Sequence, residues 1–377
     1  MRVLYLGGAL TFNIPVYIGH DETRKLYCIQ KCPRIQRMMC FFVQFISGFS
    51  IINRITYPAK VLLANKNYVV PYFDFANESV LNIFIYWHFY MHWMGTERVD
   101  SFLEFIQTSS LLRFDRTPIW KGKLYAWMYW FVSLYLSFHW TRVVHGIDLY
   151  SLNGILVTGK VTAQALFWID DINDVPPMLG ILAFLARTYN VMYHHTVLIT
   201  FTPVTMLTVL LIVTDFYDSI LSYNLSIDEV LKNYEEYKEL IDRANAYCST
   251  YLFYYMAMAL TFNSVHLFDT LNTTDFWFKI SMYIYDVDIW FKLWSSAKIL
   301  IHAKKMKKWL WKDCNYLRIP RQQLSLTLHD MIPWMPRRGL RAGKYLVVSS
   351  EFAGTVVANM CSYSLFVSVS AKHKISY

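Results

Sequence analysis

His88 and His92 stand four residues apart, and His194 and His195 are adjacent. Imidazoles at such spacings are what a metal-dependent membrane oxygenase would use. Enzymes of that kind carry several further histidine boxes, which this sequence lacks, so packed or interfacial histidines are the plainer reading. Asp286, Asp288 and Lys292 fall inside a long apolar stretch, where ionisable groups are costly and default to functional candidates. Asp288 and Lys292 are four apart, so on a helix they meet on one face and neutralise each other. Structural pairing is therefore expected ahead of a role in ion passage. Glu351 stands near the start of the last apolar stretch, where a cation would approach if that stretch lined a pore. Phe84, Trp87, Phe131, Tyr135, Phe138, Phe201 and Tyr283 are the candidate ligand-binding residues, able to line an apolar pocket in which a phenol or indole N–H orients a small molecule. Plain helix packing is the alternative for any one of them. No phosphate-binding glycine loop, Ser-His-Asp arrangement or pair of catalytic carboxylates is legible, so neither enzymatic activity nor a metal or other cofactor is expected.

The elements that position these residues are read from composition. With 55% hydrophobic, 18% aromatic and 17% charged residues over 377 positions, the chain has more apolar side chains than one soluble core buries, and lipid is the expected solvent. A span needs roughly 20 mostly apolar helical residues. Seven stretches qualify: Met38 to Ile55, Val80 to Met94, Leu124 to Trp140, Tyr193 to Phe216, Tyr251 to Phe268, Phe276 to Ile301 and Tyr345 to Ser370. Val161 to Ala186 is cut by Asp170, Asp171, Asp174, Pro176 and Pro177, and reads as a long outer loop on the membrane. The expected fold is all-α, a polytopic membrane protein with seven transmembrane helices.

Cytoplasmic segments are enriched in Lys and Arg. On alternate sides of this layout the basic residues number 25 against 8, which sets the N-terminus inside and the C-terminus outside, the reverse of a G-protein-coupled receptor. The net charge of +9 therefore reads as topology and lipid contact, with no nucleic-acid partner. The sequons at Asn77 and Asn272 fall in expected outer loops and that at Asn224 inside. Most of the six cysteines fall inside or within lipid, which argues against a disulfide framework. The organisation that follows is a cytoplasmic N-terminal segment over 1–37 and a six-helix ligand-binding region over 38–301. A basic cytoplasmic loop follows over 302–344, and a pore-lining seventh helix with a short extracellular tail over 345–377. Apolar residues at Ile227, Val230, Leu231, Tyr234, Tyr237, Ile241 and Ala244 recur near helical spacing, so a helix is expected to extend into the cytoplasm near 217–250.

The C-terminal stretch adds a resemblance. A basic helix with Trp309 and Trp311 precedes Ala342-Gly343-Lys344; then come Ser349, Glu351 and Phe352, and a closing Ser362-Tyr363-Ser364-Leu365-Phe366. Over about the last 70 residues this resembles the insect odorant receptors. The related gustatory receptors end in Thr-Tyr, an apolar run and Gln-Phe; Ser362 and Val369 depart from that pattern. The resemblance implies an odorant-binding subunit of a ligand-gated, non-selective cation channel in the plasma membrane, in a sensory neuron dendrite. It also implies a heterotetramer with the odorant receptor co-receptor and a small volatile organic ligand. The family's gate position falls on Phe366, with Val369 and Ser370 beyond it, so these three are the candidate pore residues. Val369 replaces a polar position of the co-receptor, so the partner is expected to supply polar pore residues. The alternative is a gustatory-type receptor forming its own homotetrameric channel.

Overall fold

The computed structural model describes residues 1–46, 48, 69–109, 119–145, 151–167, 169, 171–222, 227–313, 339–344 and 346–372. Helix dominates. In chain order the elements are α1 (Arg2–Leu10), β1 (Val16–Asp21), β2 (Leu26–Lys31), α2 (34–46), α3 (Val69–Trp93), α4 (Thr96–Thr108), α5 (Ile119–His145) and α6 (Leu152–Phe167). They continue with α7 (Pro177–His195), a π-helical segment (Thr196–Phe201), α8 (Thr202–Ser222), α9 (Ile227–Asn272), α10 (Phe276–Asp313), β3 (Arg341–Ala342), β4 (Leu346–Val347) and α11 (Ser350–Lys372).

Expected spans two to six fall within α3, α5, the run from α7 to α8, α9 and α10, apart from Met94 just past the end of α3; span seven matches α11 apart from its first five residues. The second half of span one lies outside the described residues. Among the described residues no helix is long and apolar enough to cross a membrane on hydropathy alone. Polar-edged Tyr, Trp and His take up much of α3 and α5, and α10 carries Lys279, Asp286, Asp288, Lys292 and Lys298. The outward faces are nevertheless strongly apolar, with Trp120, Leu124, Trp127, Met128, Phe131 and Leu134 exposed on α5, and Val287, Trp290 and Trp294 on α10.

Three expectations need correction. Most of the supposed loop over Val161 to Ala186 is helical, held in α6 and α7: the two helices pack on each other, and a Cβ on Gly159 would collide with the Gly180 backbone. Pro176 and Pro177 start a helix instead of interrupting one, because proline costs nothing at the first helical turn. That helix then runs without a break through the π segment into α8. Asn77 lies within α3, not in a loop. The all-α expectation holds for the architecture, with two short β-hairpins added among the described residues.

In the first hairpin β1 pairs with β2, Val16 opposite Lys31 and Asp21 opposite Leu26. Its turn is closed by Asp21 Oδ1, which accepts from the Thr23 N–H at 2.9 Å and from the Thr23 hydroxyl, with Lys25 in the left-handed region. The Thr23 hydroxyl and the Thr23 and Arg24 N–H groups hold the Asp21 carboxyl below its usual range. The free edge of β2 is covered by α4. The Gln107 side chain accepts from Tyr27 N–H and donates to Tyr27 C=O, both at 2.7 Å, and Asp100 accepts from Ile29 N–H.

α1 enters the core beside this hairpin. Leu4, Tyr5 and Ile14 are fully buried, and Gly7 lies so close to the Trp130 ring that a Cβ would meet it at 2.5 Å. The core continues through α3, α5, α8, α9 and α10, with Phe84, Ile85, Met206, Val213, Tyr247 and Leu293 all buried. As the helical spacing of its acidic segment predicts, α9 is one helix of 46 residues. Nearer its middle, Asn245 holds the second hairpin, donating to Gly339 C=O at 3.2 Å and accepting from Arg341 N–H at 2.8 Å.

Candidate ligand site and pore face

Tyr247, Tyr251 and Tyr255 recur every four residues on α9 and turn one buried phenol stripe into the bundle. Tyr247 shares a 3.2 Å hydrogen bond with the Tyr5 hydroxyl, and Tyr251 shares one of 2.7 Å with His88 Nδ1. His92 donates from Nδ1 to His88 C=O at 2.9 Å, and the two imidazoles pack 4.1 Å apart. Phe201 lies within 5.7 Å of the Tyr5, His88 and His92 rings. Phe84 and Trp87 stack at 6.5 Å and meet Tyr251 edge-on. This end of the stripe is a packed aromatic cluster. Among the described residues no group of three or more His, Cys, Asp or Glu comes together to hold a metal.

The other end of the stripe is polar. Tyr255 donates to Asp288 Oδ2 at 2.8 Å, Lys292 donates to the same oxygen at 2.5 Å, and the ammonium lies 3.3 Å from the Tyr255 ring centre. The pairing expected from the spacing is therefore present, with both groups buried. Such a pair persists because separating it would strand a charge in a low-dielectric interior. Across from it, α5 and the π segment supply hydroxyls. Ser133 donates to the Thr196 hydroxyl at 3.4 Å, Ser137 lies 3.2 Å from His195 Nδ1, and Thr200 donates to Tyr129 C=O at 3.3 Å. The wider π turn lets Thr196, Thr200 and Phe201 all face inward within six residues, a placement common at functional sites. His195 and Phe262 each pack 5.9 Å from the Tyr285 ring. The arrangement can hold a small molecule through hydrogen bonds and ring contacts.

The candidate residues divide. Phe84, Trp87 and Phe201 belong to the aromatic cluster. Tyr135 is half-buried beside the main core. Phe131 and Tyr283 point outward, 68% and 50% exposed. The Phe138 and Ser370 side chains lie outside the described residues. The residues missing from the sequence reading are Tyr251, Tyr255 and Tyr285, and His195 figured there only as a possible metal ligand. The four-residue tyrosine spacing on α9 was a usable signal; the π turn left none.

α11 is capped by Ser349, whose hydroxyl accepts from Phe352 N–H at 3.1 Å. It packs on α9 and α10, with Val356, Met360 and Ser364 buried. The opposite side is exposed, and along it Glu351, Thr355, Ala358 and Ser362 lead to Phe366 and Val369, which are 56% and 54% exposed. One helix face thus passes from acidic and hydroxyl groups to large apolar ones.

No known family profile matches the chain, and no curated protein sequence matches it. Solved structures do. The structure of the insect olfactory receptor OR5 from Machilis hrabei superposes with a TM-score of 0.63 at 11% identity, over 97% of this chain and 96% of that one. The same receptor in complex with eugenol gives 0.58 at 9% identity over the same shares. The C-terminal motifs and the architecture of nearly the whole chain thus lead to one place: this chain has the fold of the insect olfactory receptors.

Proposed function

We propose that this chain is an odorant receptor: the odorant-binding subunit of a ligand-gated, non-selective cation channel in a sensory cell's plasma membrane. The likeness over nearly the full length of both chains to a receptor solved with a small bound molecule carries this reading. In it the helices span the membrane with the N-terminus inside, and their exposed aromatic faces meet lipid. The ligand site is the buried seam between α5, the π segment, α9 and α10. α11 lines the pore, and its exposed stripe is the face that four subunits, including the odorant receptor co-receptor, turn toward a common axis. Phe366 and Val369 close that axis by dewetting. Ligand binding opens it only as far as the ligand prefers the open state.

An odorant panel on cells expressing the chain with and without the co-receptor tests the reading. Ligand-evoked cation current with the co-receptor is expected; its absence across the panel in both settings would remove the proposal. Current from the chain alone would instead favour the gustatory-type homotetramer. Phe366→Ala is expected to raise basal current in co-expressing cells, and an unchanged baseline would take Phe366 out of the gate.

A further inference from the structure

Asp288 uses half of its carboxylate. The Tyr255 hydroxyl and the Lys292 ammonium both donate to Oδ2, while Oδ1 is buried and has no hydrogen-bond partner. A carboxylate has about four acceptor positions, and buried ones left bare are rare enough to require an explanation. Seven residues to either side on the same helix, Ser281 Oγ and Ser295 Oγ are also buried and unpartnered. Seven residues are about two helical turns, so the three bare atoms follow one face of α10. The side chains near Asp288 are aromatic. Tyr129 and Tyr285 lie within electrostatic reach of the carboxylate. Tyr285 packs against Phe262, and Tyr129 lies 6.2 Å from the Phe291 ring.

We propose that Asp288 Oδ1 anchors the ligand, accepting a hydrogen bond from the hydroxyl of a small, neutral aromatic alcohol or phenol whose ring packs among Tyr129, Tyr285 and Phe262. This deepens the odorant-receptor reading and rests on it for the identity of the site. The charges around the anchor set the class. An amine would bring a second ammonium beside Lys292, and a carboxylic acid would set like charge against Asp288. An ether or ester has no proton to give. A hydroxyl satisfies the bare oxygen without adding charge, and a site built around that bond rejects an analogue lacking it far more strongly than one differing by a methyl group.

The test is binding to the purified full chain in lipid nanodiscs, read as thermal stabilisation by 2-phenylethanol, by its methyl ether and by 2-phenylethylamine. The alcohol is expected to act at a concentration at least about tenfold below the other two. In the double variant Asp288→Leu/Lys292→Met, which removes both charges together, the alcohol and the ether are expected to come within about twofold of each other. Equal binding of alcohol and ether to the unaltered chain overturns the proposal; an ordered water filling the Oδ1 position would give that result. So does the absence of binding by all three probes, or an alcohol preference that survives in the double variant. If the double variant does not purify as a single species, the comparison on the unaltered chain decides alone. Binding is measured without any current. Failure of the channel reading would therefore appear as lost odorant responses, and failure of this inference as lost discrimination between alcohol and ether.

Discussion

At the scale of single residues, the Asp288–Lys292 pair shows how far spacing can be trusted. Two ionisable groups four apart in an apolar stretch had to meet, and they do. The Tyr255 hydroxyl on their shared oxygen comes from a different helix, which no spacing along α10 reveals. The pair is expected to be far more sensitive to losing one member than to losing both. Lys292→Met should destabilise by about 3–5 kcal/mol because Asp288 is left charged and buried, whereas Asp288→Leu/Lys292→Met should lie near the unaltered protein. Thermal unfolding of the purified variants separates the two outcomes, and equal losses would mean that the charges are not coupled. The exposed Phe131 and Tyr283 carry the opposite lesson. Both are aromatic and both sit on long helices, but only neighbours in space decide whether a ring faces the core or the surroundings.

At the scale of elements, the motif Ala342-Gly343-Lys344 acquires a physical meaning. Gly343 has φ +69, the left-handed region that favours glycine, and a Cβ there would press on Phe253 at 3.3 Å. Its N–H donates to Ser249 C=O at 2.8 Å. Together with the two Asn245 bonds, this straps the hairpin leading into α11 onto α9. Asn245→Ala leaves the Arg341 N–H without its acceptor and should cost about 1–3 kcal/mol. Asn245→Asp keeps the acceptor and should recover part of the loss. Thermal unfolding checks both, and an Asn245→Ala chain as stable as the parent would show that the strap is slack. The extension of α9 was legible because its apolar residues keep helical spacing through the acidic stretch. The helices α6 and α7 were not, since Pro176 and Pro177 read as breakers until one sees that they occupy a helix start.

At the scale of the whole molecule, the charge asymmetry and the fold make a joint prediction about orientation. A tag at the N-terminus should stay inaccessible to antibody on intact cells and a tag at the C-terminus should be reached; the reverse pattern would sink the inside-to-outside direction given to α11. The docking of α1 against α5, the π segment and the aromatic cluster was invisible in the sequence, because the contacts of Tyr5 with Tyr247 and Phe201 join residues roughly two hundred positions apart. The π segment was equally hidden, and it bears on what lengths of chain this architecture tolerates. A π turn is an α-helix that has absorbed extra residues without disturbing the helix on either side. Shortening Thr196–Phe201 by one residue would therefore leave α7 and α8 in their places while withdrawing one inward-facing side chain from between the aromatic cluster and the polar seam. A one-residue deletion here is therefore expected to change which side chains face the candidate site while leaving the helices around it in place.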